Sequence, residues 1–167
     1  GWAEPAALVR HALALPGVTW HGQANVHSIA ADAEGWRACD RDGRCIATAP
    51  LLVLANAHDA LRLSGLPASW ATTSRGQISW LEPNDLALAT TPRLPIASGA
   101  YVLTLPDGRL LIGATQQRDD DEPAVRESDH AANLAQAARL LGLEPARAGA
   151  VVHGCVAWRM TTRDRLP

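Results

Sequence analysis

The chain contains no lysine; all 15 of its basic residues are arginine. That excludes a lysine Schiff base and a phosphate-loop lysine within this stretch. Cysteine is scarce. Cys39, Cys45 and Cys155 are an odd number with no close pair in sequence, so idle thiols are expected rather than a disulfide framework or a zinc site. No apolar run approaches the roughly 20 residues of a membrane span. The first residues, Gly1-Trp2-Ala3-Glu4-Pro5, lack the basic-then-apolar order of a secretion signal. No membrane and a cytoplasmic setting are therefore the expectations. There is no Gly-x-Gly-x-x-Gly, His-Glu-x-x-His, Gly-x-Ser-x-Gly or Cys-x-x-Cys. With a formal charge of −2 and dispersed arginines, the segment has no strong nucleic-acid footprint of its own.

A hydrophobic fraction of 47% fits a chain with a real core. Residues 5–15 read as a helix, with Pro5 in its first turn and Leu8, Ala12 and Leu15 on one face. Pro16-Gly17 ends it. Short β-type runs follow at 18–21, 26–30 and 36–40, and Asp42-Gly43 signals a hairpin into 45–48. The continuous apolar run 51–55 is expected to be a strand covered on both faces. Ser64-Gly65-Leu66-Pro67 marks a boundary. Beyond it, 71–81 alternates weakly, and 100–105 and 109–114 flank a second hairpin signal, Asp107-Gly108. Residues 116–123 read as an acidic loop. Ser128 is placed to cap a helix running to Leu141, with Gly142 just past its end, and 149–160 as the last strand. The pattern is α+β: part of an α/β layer in residues 1–65, a mainly antiparallel sheet with one helix in 66–155, and a return to the first layer in 156–167.

Several segments carry more than structure. Val26, followed by Gly35-Trp36, Asp42-Gly43 and Leu54-Ala55-Asn56-Ala57-His58, is one. Arg75-Gly76-Gln77 is a second. Ala100-Tyr101-Val102 ahead of Asp107-Gly108 and Ile112-Gly113-Ala114-Thr115 is a third. Asn133-Leu134 and Thr162-Arg163-Asp164-Arg165-Leu166-Pro167 complete the set. Taken singly, each also fits a bland reading: a hairpin with a core strand, a bulge glycine beside a surface arginine, a half-buried strand tyrosine, or an arginine in an ion pair. The histidines show no metal spacing and read as solvated or capping, and Asp119-Asp120-Asp121-Glu122 reads as a solvated loop.

Together these segments resemble the FAD-dependent amine oxidoreductases of the D-amino-acid and glycine oxidase family. The match leans toward the branch acting on the wobble uridine of tRNA, where the pattern ends Thr-Arg-Asp-x-Leu-Pro. Ala57 stands where that pattern has glycine. The resemblance implies that Val26, Ala55, Asn56 and Ala57 lie against FAD. It implies Arg159, Tyr101, Arg75 and Gln77 at the substrate, with Arg159 holding a carboxylate through its planar fork. The substrate it implies is a carboxymethylaminomethyl group on tRNA, with a free small amino acid as the close variant. A non-catalytic α+β binding domain remains the third reading. The resemblance also implies a fragment of a longer protein, possessing neither the pyrophosphate-binding turn nor the following glycine-rich segment, with FAD weakly held and no activity alone.

Overall fold

In a computed structural model, residues 2–82, 92–143 and 152–162 are described. The chain divides into two compact units, Trp2–Ala71 and Thr72–Pro167.

The first unit begins with α1 (Pro5–Leu13), whose proline sits in the first turn. An N–H is dispensable there. None of its residues is buried, and Leu8 and Val9 of its apolar face are exposed. Residues 18–21 form no strand. Then β1 (Ser28–Asp32), β2 (Gly35–Cys39) and β3 (Cys45–Ala49) make an antiparallel meander in that order. Gly35, at φ +131°, turns β1 into β2 so close to β3 that a Cβ would lie 2.6 Å from the Ala49 carbonyl oxygen. At the hairpin, the Asp40 carboxylate accepts the N–H groups of Asp42 and Arg44, both at 2.9 Å. The expectation of a doubly covered strand at 51–55 is corrected: these residues form no strand, and Leu51 and Val53 are exposed. Among the described residues no strand pairs with them, so only Leu52 and Leu54, on the other side of the extended chain, are half-buried. Helix α2 (Asp59–Ser64) follows and ends at Gly65, whose φ of +71° suits the left-handed cap.

A 3₁₀ turn (Ala68–Trp70) leads into the second unit's sheet. Its strands are β4 (Ala71–Leu81), β5 (Ile96–Ala97), β6 (Tyr101–Thr104), β7 (Leu110–Gly113), β8 (Gln117–Arg118) and β9 (Val152–Thr162), with α3 (Glu127–Leu141) between β8 and β9. The order is β5-β6-β7-β4-β8, and β9 also pairs with β4. Both β7 and β8 run antiparallel to β4. Residues 116–123 thus contain a short strand, not only a loop. Strand β9 is continuous through 156–162 and pairs with β4 of this unit's sheet. The beginning of the expected last strand, 149–151, and the motif residues 163–167 lie outside the described residues.

One face of the sheet is covered by α3. There Leu81, Val102, Leu110 and Ile112 pack with Ala137, and Leu134, Leu140 and Leu141 close around them. Side chains alternate between faces along a strand, so Arg75, Gln77 and Ser79 share this covered face with Leu81, and all are buried. That explains the weak alternation of β4: three of these four covered residues are polar. Among the described residues no helix is long and apolar enough to cross a membrane.

Candidate functional site

Two clefts, one in each unit, gather most of the residues singled out in the sequence, Ala57 and Gln77 excepted. The first unit's cleft encloses about 610 Å³ and is lined by Val26, Ala55 and Asn56 with Ala24, Ala38 and Asp59 among its walls. Arg62 on α2 fixes its geometry. Its guanidinium donates to both oxygens of Asp59, at 2.6 and 2.9 Å, and reaches the backbone carbonyls of His27 at 2.6 Å and Val26 at 3.3 Å. Asn56 donates to the same carboxylate at 3.2 Å. The hydrogen-bonded Arg62 fork holds the Asp59 carboxyl below its ordinary range, and the carboxylate in turn holds the guanidinium proton more tightly. Ala57 adopts φ +51° despite its Cβ. The backbone therefore takes the left-handed turn that glycine would take most readily. Ala57 itself does not line the cleft.

The second cleft, of about 530 Å³, lies on the second unit's sheet and is lined by Tyr101 and Arg159 with Gly76, Ile78, Ala114 and Ala157. By strand alternation Gly76 and Ile78 project to the face opposite α3. Tyr101 is the register partner of Gly113 on β7. A Cβ on Gly113 would lie 2.7 Å from the Tyr101 hydroxyl oxygen and 2.9 Å from Ile78 Cγ2, so the tyrosine ring occupies the space a side chain would take. Burial raises the Tyr101 phenol above its ordinary value, with the positive charge of Arg159 working against the rise and Cys155 adding to it. Arg159 is exposed, and among the described residues it has no hydrogen-bond or ion-pair partner. An arginine with its donors open beside a half-buried aromatic is a fitting seat for a carboxylate.

Arg75 also lines this cleft and Gln77 does not, but the side chains of both are held within the sheet. All five donors of Arg75 are engaged: Nε with the Glu122 carbonyl at 2.7 Å, one terminal nitrogen with Asp129 at 2.6 Å and Gln117 at 3.2 Å, the other with the Ala124 carbonyl at 2.6 Å and Gln77 at 3.4 Å. The side chain is fully buried. The Gln77 amide donates to the Arg126 carbonyl at 2.9 Å and accepts the Arg126 N–H at 2.8 Å. It thereby pins the residue that caps α3, the role expected of Ser128, which instead lies inside the helix. Ser79 and His130 Nδ1 are 2.8 Å apart, and Asn133 donates to both the Ser79 hydroxyl and the Gln77 carbonyl at 2.9 Å. This polar layer is the frame beneath the cleft floor.

Sequence reasoning missed Arg62, Asp59, Asp129 and His130. The first pair had a readable signal, opposite charges three apart on a helix. The other two are visible only once α3 covers β4. Trp158 was missed too: its indole N–H donates to the Asp120 carbonyl at 2.8 Å. The Arg126 fork on the Asp120 carboxylate holds its pKa at about 2. Among the described residues no cluster of side chains could hold a metal ion.

The whole chain, residues 1–167, matches the family model described as DAO, FAD dependent oxidoreductase. It is 43% identical over 176 residues to the tRNA 5-methylaminomethyl-2-thiouridine biosynthesis bifunctional protein of Methylibium petroleiphilum, and 40% identical over 174 residues to that of Burkholderia multivorans. Each match takes in 100% of this chain and 26% of the relative, so the chain spans about a quarter of their length. Among solved structures, the glycine oxidase of Geobacillus kaustophilus superposes with a TM-score of 0.75 at 26% identity, over 97% of this chain and 43% of the other.

Proposed function

Because this chain belongs to the FAD dependent oxidoreductase family, we propose that it supplies the substrate cleft and one wall of the cofactor site to an amine oxidoreductase of its relatives' full length. The substrate we propose is the carboxymethylaminomethyl group of a tRNA wobble uridine, and the product is the aminomethyl nucleoside. The observation that carries this reading is the open guanidinium of Arg159 beside Tyr101 in one cleft. The names of the relatives support tRNA as the carrier, and a cytoplasmic setting goes with it.

The residues of the first cleft suit part of FAD. Small side chains at Ala24, Ala38 and Ala55 let a flat ring approach backbone. Among the described residues, the backbone groups of 52–56 enter no hydrogen bond and are open to a ligand. Val26, Ala55 and Asn56 would hold it there. When bound, FAD accepts a hydride from the carbon next to the amine.

Holding and orienting the substrate falls to this chain. Arg159 grips the substrate carboxylate through two hydrogen bonds and so fixes the direction of the adjacent C–H bond. Tyr101 packs one side of the bound group and keeps water from it. Gly76 and Gly113 bring no side chain into that space. The oxidised C–N bond is an imine, which water cleaves to leave the amine on the nucleoside and an aldehyde acid free. The 167 residues include no Gly-x-Gly-x-x-Gly turn for a pyrophosphate, so the segment alone is expected to hold little FAD and to be inactive.

The test is the visible spectrum of the full-length protein under anaerobic conditions. Bleaching of a bound flavin by tRNA bearing the carboxymethylaminomethyl group, and not by glycine, supports the reading. Bleaching by glycine or sarcosine alone would replace it with a free amino-acid oxidase. A protein that stays colourless with added FAD would overturn both.

A further inference from the structure

Cys39 and Cys45 face one another across the first unit's sheet. They are register partners on β2 and β3. Both are free thiols, Cys45 exposed and Cys39 half-buried. The neighbouring pair is hydrogen-bonded, since Asp40 N–H donates to the Arg44 carbonyl at 3.0 Å. Hydrogen-bonded and non-hydrogen-bonded pairs alternate along an antiparallel ladder, so the cysteines occupy a non-hydrogen-bonded pair. Their Cα atoms are then about 4.5 Å apart. That separation lies within the range of about 4.4–6.8 Å that disulfides span.

Partners directly opposed in a ladder also leave the sheet on the same side. The register shifts next to the pair, between Ala38 and Cys39, leaving Ile46 as the extra residue of a bulge. A bulge lets one strand bend without disturbing the rest of the ladder. Cys45 now directs its sulfur toward the Ala47 carbonyl, 3.5 Å away. Turning it toward Cys39 takes a side-chain rotation.

We propose that Cys39 and Cys45 are a peroxide-sensitive dithiol that closes into a cross-strand disulfide. The exposed sulfur of Cys45 attacks one oxygen of the peroxide. The O–O bond breaks, one water leaves, and Cys45 becomes a sulfenic acid. The Cys39 sulfur then attacks the Cys45 sulfur, the S–O bond breaks, and a second water carries away the remaining thiol proton. Two thiols are oxidised by two electrons while one peroxide becomes two waters. The clasp joins β2 to β3 immediately beside Ala38, a wall of the first cleft. Cys155, the third thiol, has no cysteine in register with it among the described residues.

The test treats the full chain with stoichiometric hydrogen peroxide, quenches it in denaturant with an alkylating reagent, and maps the tryptic peptides by mass. Cleavage after arginine separates the cysteines into peptides 38–41 and 45–62. The expected result is near-complete loss of both free thiols, a linked 38–41/45–62 peptide lighter by the two thiol hydrogens, and Cys155 alkylated. In Cys39→Ser the oxidised Cys45 should instead be trapped as a sulfenic acid by a dimedone probe. Recovery of both Cys39 and Cys45 as alkylated thiols while Cys155 is oxidised would overturn the proposal. So would disulfides found only between chains.

Discussion

Arg75 and Asp129 meet at 2.6 Å with the guanidinium 0% and the carboxylate 6% exposed. The pair ties the central strand β4 to the first turn of α3, and the Gln117 amide bonds the other Asp129 oxygen at 2.6 Å. Breaking a buried pair by removing one partner leaves an uncompensated charge, costing about 3–5 kcal/mol. Asp129→Ala is therefore expected to lower the unfolding free energy by about that amount in urea titrations, with Asp129→Asn milder because it retains an acceptor. An Asp129→Ala variant as stable as the parent would show that the ion pair does not organise this face.

Much of this frame was legible in the sequence, and the illegible part has a definite cause. The hairpins at Asp42-Gly43 and Asp107-Gly108, strand β4 and the end of α3 at Gly142 follow from local turn and capping chemistry. The covering of the run 51–55 did not follow, because an apolar run states that a surface is to be buried and not what buries it. Arg75 and Gln77 were placed at the substrate by the family resemblance of Arg75-Gly76-Gln77, which says nothing of what holds their side chains. The acceptors that occupy them, Asp129 and the carbonyls of Glu122, Ala124 and Arg126, come from residues about 50 positions away. Tyr101, Arg159 and Arg75, three of the four residues that the resemblance set at the substrate, line one cleft.

Asp120 gives the loop before α3 a pH dependence. Its carboxyl titrates at about 2 instead of the ordinary 3.8, chiefly through its hydrogen bonds from Arg126. A depressed carboxylate contributes its stabilisation fully above the unfolded pKa, and loses it as pH falls through the folded value. The melting temperature should therefore drop between about pH 4 and pH 2, and Asp120→Asn should flatten that part of the curve while lowering the value near neutrality. A variant retaining the full acid dependence would assign it to other carboxylates.

Gly113 sits where any side chain would collide with the Tyr101 hydroxyl at 2.7 Å. Gly113→Ala is expected to cost roughly 1–3 kcal/mol of stability as an overpacked site and to push the tyrosine ring into the cleft. In the full-length protein the substrate KM should rise with flavin content unchanged. A KM equal to that of the parent would place Tyr101 outside the substrate's reach.

Ala57 holds φ at +51°, a conformation that costs an L residue about 1–2 kcal/mol. Ala57→Gly relieves that strain while adding freedom to the unfolded chain. The net expectation is a gain of up to about 1 kcal/mol, read from thermal or urea unfolding. A clear loss of stability would mean that the Ala57 methyl group contributes packing that outweighs the backbone strain.

The role of Arg159 is tested most directly by Arg159→Leu in the full-length protein, with flavin content and KM for carboxymethylaminomethyl tRNA measured on the same preparation. Losing hydrogen bonds to a charged group costs about 1.5–3 kcal/mol, equivalent to a KM increase of roughly 10- to 100-fold. That increase, with the flavin spectrum and stoichiometry unchanged, is the expected result. An unaltered KM would contradict it and make Arg159 a surface arginine with no hold on the substrate.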